Sequence, residues 1–248
     1  MQKTVTAAAI IIGNEILSGR TREANLCFLG QRLSDLGIQL MEACIVPDNE
    51  TIIITKLNTC RRIYNYVFTT GGIGPTHDDI TSATVARAFN VELLRNHEAV
   101  ACLEKYYEPG TVNEARLKMA NIPAGAILIE NPVSGAPGFQ LENVFVLPGV
   151  PLILQGMFNG ITDRLVGGPK ILTYSISTNL RESVLADGLG KIQDDYPDVT
   201  IGSYPYFKKG KLGVNLVIRT TEEILLKNVS DQILKLIASV DGRIIDSK

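Results

Sequence analysis

The sequence predicts an α/β fold, a mostly parallel sheet with helices on both faces, followed by a smaller α+β unit. Three observations predict it. Strand-like and helix-like segments alternate from residue 4 onward, the pattern of a sheet built from βα repeats. The first strand, "TVTAAAIII" (4–12), is apolar throughout, as a strand covered on both faces must be. The final eighty or so residues run β-α-β-β-α-β, the order of a split βαβ, ferredoxin-like unit.

After the first strand and a "GNE" turn, residues 22–36 carry Leu26, Leu29, Leu33 and Leu36 at helical spacing, and Gly37 stops the helix. "IQLMEACIV" (38–46) reads as the second strand. "NETIIITKLNTCRR" (49–62) has an isoleucine run with strand propensity. It is assigned as a helix because Ile53, Leu57 and Cys60 share a face and a helix is the usual crossover between parallel strands. "YNYVFTT" (64–70) is the third strand, and a further helix begins near Ile80. Residues 96–120 are helical with a break at Pro109-Gly110, and 126–151 alternates short strands with tight turns. A helix over 152–165 closes this domain. "GGP" (167–169) is the linker, giving domains 1–167 and 168–248. In the second domain "VTIGSYPYF" and "KLGVNLVIRT" are strands joined by a "KKG" turn, and Leu225, Val229, Ile233 and Leu236 mark one face of its second helix.

The composition, with 45% hydrophobic and 20% charged residues in 248, fits a globular chain with a substantial core. A net charge of -2 with mixed signs argues against a nucleic-acid or anionic-membrane partner. The apolar run at 5–12 is too short to span a bilayer and lacks a basic leader, so a cytoplasmic location is expected. Cys27, Cys44, Cys60 and Cys102 show no C-x-x-C spacing and read as reduced thiols.

Ligands of open α/β sheets bind beyond the carboxyl ends of the strands. Three polar segments follow those ends here, and together they bring Glu15, Asp48, Asp78 and Asp79 towards one rim. The third segment, "TTGGIGPTHDDIT" (69–81), carries the chemistry. Glycines let backbone amides approach an anion, and a helix starting behind them adds partial positive charge. Adjacent carboxylates repel a phosphate unless a hard divalent cation bridges them. The competing reading is a surface turn in which Asp79 caps the following helix. Position at the end of a parallel strand favours the ligand site. His77 lies beside the carboxylates and is either a proton shuttle or a plain loop residue. In "NPVSGAPGF" (131–139), Ser134, with Gly135 beside it, is a candidate phosphate donor. No H-E-x-x-H or G-x-S-x-G motif is present.

"TTGGIGPTHDDIT" resembles the signature TTGG-(L/I)-GPT-x-DD-x-T of molybdopterin-binding-like domains, in the variant of the competence/damage-inducible protein A (CinA) family. "IIIGNEILSGRTREAN", "NPVSGAPGF", "VFVLPGVP" and "GSYP" (202–205) follow in the family's order, so the resemblance covers nearly the whole chain. It implies a three-layer α/β/α molybdopterin-binding-like domain plus the small domain. It also implies divalent-metal-dependent pyrophosphatase activity on nucleotides such as ADP-ribose or FAD. Mg2+, Mn2+, Co2+ and Ni2+ are the candidate ions. Carried over, Asp79 matches the family's metal-binding acidic position, with Asp78 beside it as a second metal ligand; from their place on the rim, Glu15 or Asp48 completes the coordination or acts as base. Gly71, Gly72, Gly74 and Thr76 are assigned to the phosphates and Glu15 to the acidic position of the first motif. Many relatives carry Glu where this chain has Ile153, and many continue into a deamidase domain, whose activity is not expected here. Two other readings stand beside hydrolysis. One is molybdopterin binding or adenylation, the other a nucleotide- or pterin-binding module without turnover. The small domain is expected to pair two copies into a homodimer, by analogy with ferredoxin-like sheets.

Overall fold

A computed structural model describes residues 4–208 and 210–247. They form two compact units that divide between Gly168 and Pro169.

The first unit runs β1 (Val5–Ile12), α1 (Asn14–Leu17), α2 (Asn25–Asp35), β2 (Ile38–Val46), α3 (Glu50–Ile63), β3 (Tyr66–Thr70), α4 (Thr81–Phe89), β4 (Leu93–Arg95), α5 (His97–Tyr106), α6 (Glu114–Lys118), β5 (Asn121–Pro123), β6 (Ile127–Ile129), β7 (Gly138–Leu141), β8 (Val144–Leu147) and α7 (Pro151–Asn159). Its main sheet has the order β2-β1-β3-β8-β7-β6. The first four strands pair in parallel, and β7 and β6 extend the edge antiparallel.

Strand alternation sorts the core into two layers. Ala8, Ile10, Ile12 and Val67 pack with Ile53, Leu57 and Cys60 of α3, Val85 of α4 and Leu103 of α5. Ala7, Ala9, Phe68 and Phe145 pack against Leu29 and Leu33 of α2 and against Leu154, Met157 and Phe158 of α7. Phe68 stacks on Phe145 with ring centroids 5.2 Å apart. The result is the expected three-layer α/β/α arrangement.

Helix α3 forms despite its isoleucines because both ends are specified. Asn49 accepts the amide of Ile52 at 3.2 Å as N-cap, and Arg61 and Arg62 sit in the last turn, where the helix dipole favours cations. Helix α2 stops where Gly37 takes φ 72°; a Cβ there would lie 2.2 Å from the carbonyl oxygen of Gly168.

Three elements differ from expectation. The "GNE" turn is the start of the short helix α1, whose Asn14 amide is held by Asp48. A two-stranded sheet of β4 and β5 was not anticipated, because three-residue strands carry too little periodicity to detect. The last helix of the unit ends at Asn159, and the chain continues through a 3-10 turn at Thr162–Arg164.

The second unit runs β9 (Leu172–Thr178), α8 (Glu182–Asp195), β10 (Thr200–Lys208), β11 (Lys211–Thr220), α9 (Glu223–Ser239) and β12 (Ile244–Ser247). Its antiparallel sheet has the order β10-β11-β9-β12. Leu185 and Leu189 of α8 and Val229, Ile233 and Ile237 of α9 share one core with Ile176, Leu216 and Ile218 of the sheet. The expected turn at 208–210 includes position 209, which lies outside the described residues.

All four cysteines are free thiols. Burial pushes the Cys60 thiol up to about 11, which keeps it protonated and unreactive. Among the described residues no helix is long and apolar enough to cross a membrane.

Candidate functional site

The carboxyl ends of β1, β3 and β8 meet side by side, with Ile11 opposite Thr70 and Thr70 opposite Leu147. Beyond them lies a cavity of about 510 Å³, a size suited to a small-molecule ligand. Ile11, Ile16, Met119 and Ile153 supply apolar wall, and Glu15, Arg22, Asn25, Thr70, Asp79 and Ser134 supply polar groups.

The glycine loop is tight for a packing reason. Gly71 has φ 96°, and a Cβ on it would lie 2.2 Å from the carbonyl oxygen of Ile12. Gly72 has φ 69°, and its Cβ would lie 2.2 Å from the hydroxyl of Thr81. Only glycine fits both the backbone angle and the space. Thr81, at the start of α4, then locks the loop: its hydroxyl donates to the Gly71 carbonyl and its amide to the Gly72 carbonyl, each at 2.9 Å. The Gly71 amide donates to Leu147 at 3.1 Å. Among the described residues the amides of Gly72, Ile73 and Gly74 meet no acceptor, and no side chain caps α4 behind them. Three unused donors thus stand in one fixed loop, with the start of α4 held against it through Thr81.

Asp79 does not cap α4. Its Oδ2 accepts the Thr76 amide at 2.8 Å and also the Thr76 hydroxyl, while Oδ1 has no hydrogen-bond partner. Gly74 makes room for this carboxylate, since a Cβ there would lie 2.7 Å from Oδ2. Lys118 of α6 donates to the Thr76 carbonyl and anchors the loop from outside. Glu15 of α1 is exposed and lines the cavity, and a Cβ on Gly13 would lie 2.5 Å from its Oε1.

The structure therefore brings together Glu15, Gly71, Gly72, Gly74, Asp79 and Ser134 around one cavity. Four other candidate residues lie outside its lining. Asp48 accepts the Asn14 amide at 2.8 Å and so holds the start of α1. Asp78 is exposed. Thr76 spends its amide and hydroxyl on Asp79. Gly135 turns at φ 74° against Tyr106, whose Cβ would be 2.4 Å from a Cβ at that glycine. Among the described residues no three His, Cys, Asp or Glu side chains are placed to hold a metal ion by themselves.

Sequence reasoning missed Asn25, Thr70 and Asn131. Asn131 is buried and organises "NPVSGAPGF": its Nδ2 donates to the Ser134 hydroxyl at 2.7 Å and the Ala136 carbonyl at 2.8 Å, and its Oδ1 accepts the amides of Val133 and Ser134. Asn25 and Thr70 are buried in the lining, and each carries an oxygen without a partner. The available signal was an asparagine inside a quoted motif at a helix start, and a threonine ending an apolar strand.

Residues 8–166 match the family model described as "Probable molybdopterin binding domain". The crystal structure of the protein CinA from Thermoplasma acidophilum is 34% identical, covers 64% of this chain and 98% of its own, and superimposes with a TM-score of 0.60. The chain belongs to the CinA family of molybdopterin-binding-domain proteins. A second model, "FAD synthase, middle domain", matches residues 170–241, most of the second unit. A protein of Archaeoglobus fulgidus is 34% identical over 215 residues, 87% of this chain and 91% of the relative. A CinA-like protein of Fervidobacterium nodosum is 30% identical over 237 residues, 92% of this chain but only 56% of the relative. The CinA-family motifs thus fall on the loops that build the cavity, apart from "GSYP", which lies in the second unit.

Proposed function

We propose that the cavity binds a nucleotide diphosphate of the ADP-ribose or FAD type and hydrolyses its pyrophosphate with a divalent ion. The observation that carries this reading is the set of unused amides at Gly72, Ile73 and Gly74 beside the open Oδ1 of Asp79. Phosphate oxygens fit the amides, and a carboxylate oxygen with no other partner fits a cation held against those phosphates.

The donor set suits a Mg2+-type ion, which takes one or two carboxylates and draws its remaining ligands from substrate phosphates and water. Asp79 is the residue that would hold it. Asp48 and Asp78 are not used, because both lie outside the cavity lining. When bound, the ion supplies positive charge to the phosphate oxygens and eases deprotonation of the attacking water. The loop amides orient the phosphate, Asp79 keeps its place through Thr76, and Glu15 accepts the proton of the water. Water adds to phosphorus, the bridging P–O bond breaks, and ADP-ribose gives AMP and ribose phosphate. The likeness of the second unit to a domain of FAD synthase supports a ligand of this class, since FAD also carries a pyrophosphate.

A second reading, adenylation of a pterin, draws on the apolar wall of Ile11, Ile16, Met119 and Ile153, which suits a flat ring. One assay separates the two. With ADP-ribose and Mg2+, Mn2+, Co2+ or Ni2+, AMP is released only while free metal is present. Asp79→Ala lowers turnover at least about 100-fold, or about 2.7 kcal/mol of barrier. Full turnover in excess chelator rejects the metal role. An adenylated product from molybdopterin and ATP, with ADP-ribose untouched, favours the second reading.

A further inference from the structure

The cavity is short of positive charge. Arg22 is the only Lys, Arg or His among the described residues of its lining, against the carboxylates of Glu15, Glu23 and Asp79. Arg22 is exposed, and its side chain makes no hydrogen bond or ion pair with any described residue. The backbone on either side of it is pinned. The Thr21 amide donates to the Glu15 carbonyl at 3.0 Å. Glu23 Oε1 accepts the amides of Asn25 at 2.8 Å and Leu26 at 3.1 Å, so this carboxylate serves the first turn of α2 and not the arginine. Asn25 in turn donates from Nδ2 to the Gly149 carbonyl at 2.8 Å, and a Cβ on Gly149 would lie 3.4 Å from the Cα of Gly71. The segment that carries Arg22 is thereby tied to the glycine loop, while its guanidinium is left available.

The charge of the ligand gives that guanidinium a use. The consecutive amides of Gly72, Ile73 and Gly74 match one phosphate group, and a nucleotide diphosphate has a second. Its two phosphates add their negative charge to that of the three carboxylates, which is more than one divalent ion offsets. Like charges brought together without compensation oppose binding. A guanidinium is permanently charged, and its planar fork of N–H donors fits two phosphate oxygens at once. Lys118 does not fill this place, because it is committed to the Thr76 carbonyl and lies outside the lining.

We propose that Arg22 binds the second phosphate of the nucleotide diphosphate, the one that the glycine-loop amides leave free, and so favours diphosphates over monophosphates. The inference rests on the nucleotide reading above and adds to it the residue that recognises the second phosphate.

Calorimetry with AMP and with α,β-methylene-ADP, each in the presence of Mg2+, tests it. The methylene bridge is not hydrolysed, so binding is read without turnover. Arg22→Gln lowers the affinity for α,β-methylene-ADP about tenfold or more and that for AMP by less than about twofold. Arg22→Lys retains part of the lost affinity, since it keeps the charge without the planar fork. Arg22 has no partner in the described chain to lose, so both variants keep the thermal midpoint of the parent. Arg20→Gln is the control. Arg20 is exposed in the same segment but lies outside the cavity lining, so its removal changes neither affinity by more than about twofold. Equal losses for the two ligands in Arg22→Gln, no loss for either, or the same loss in Arg20→Gln as in Arg22→Gln overturns the inference while leaving the nucleotide reading intact. Failure of the parent chain to bind AMP and α,β-methylene-ADP alike overturns that reading, and this inference with it.

Discussion

Gly72 and Gly74 are two positions inside one loop, and they are glycine for different reasons. Gly72 needs its positive φ and has the Thr81 hydroxyl where a Cβ would go, whereas Gly74 has an ordinary φ and only gives way to the Asp79 carboxylate. Alanine at the two positions should therefore act differently. Gly72→Ala destabilises the fold by at least about 1 kcal/mol, read as a lower denaturation midpoint. Gly74→Ala keeps the midpoint within measurement error of the parent but displaces Asp79, and turnover of ADP-ribose falls at least about tenfold. Equal stability loss in both variants contradicts this division. The glycines were legible from the sequence because a GGxG run has few other uses at a strand end. The roles of Asp48 and Thr76 were not. Asp48 has the chemistry of a metal ligand, but only the fold reveals that its oxygen is taken by Asn14.

At the scale of elements, the long segments were legible and the short ones were not. Helix α3 declared itself through its cap, its buried face and its basic last turn, each a signal spread over several residues. Helix α1 and the β4–β5 pair are too short for periodicity to register, and tertiary contacts decide them. The loop between β6 and β7 is a further case, since its shape depends on a single buried side chain. Asn131 satisfies two amides and two acceptors within the loop. Asn131→Ala leaves those groups unmet at about 1–3 kcal/mol. It also frees Ser134 from the cavity wall, so AMP affinity falls along with stability. An unchanged thermal midpoint would show that the loop holds its form by other means.

For the whole molecule, stability carries a pH signature that is separate from the cavity. Glu42 on the edge strand β2 receives the amine of Lys56 and the phenol of Tyr64, the latter at 2.9 Å. The Lys56 bond first, and then that of Tyr64, holds the Glu42 carboxyl below its ordinary 4.5. A depressed carboxyl stabilises the folded state fully above its unfolded pKa, and the gain is lost as pH falls through the lower folded value. Both side chains of the ion pair are 29% exposed, so solvent limits the effect to under about 1 kcal/mol. Glu42→Gln accordingly lowers stability near neutral pH, and the difference from the parent closes as the solution is acidified below 4.5. A difference that stays constant down to the acid limit contradicts the assignment. Neither member of this pair stood out in the sequence, because residues fourteen positions apart meet only through the β2–α3 packing.

The proposed chemistry depends on loop amides holding a phosphate. Nuclear magnetic resonance of the nitrogen-labelled chain during AMP titration tests this most directly. The amides of Gly72, Ile73 and Gly74 should shift together and saturate at one AMP concentration. If AMP binds and those three signals stay fixed while others move, the phosphate sits elsewhere and the central claim fails.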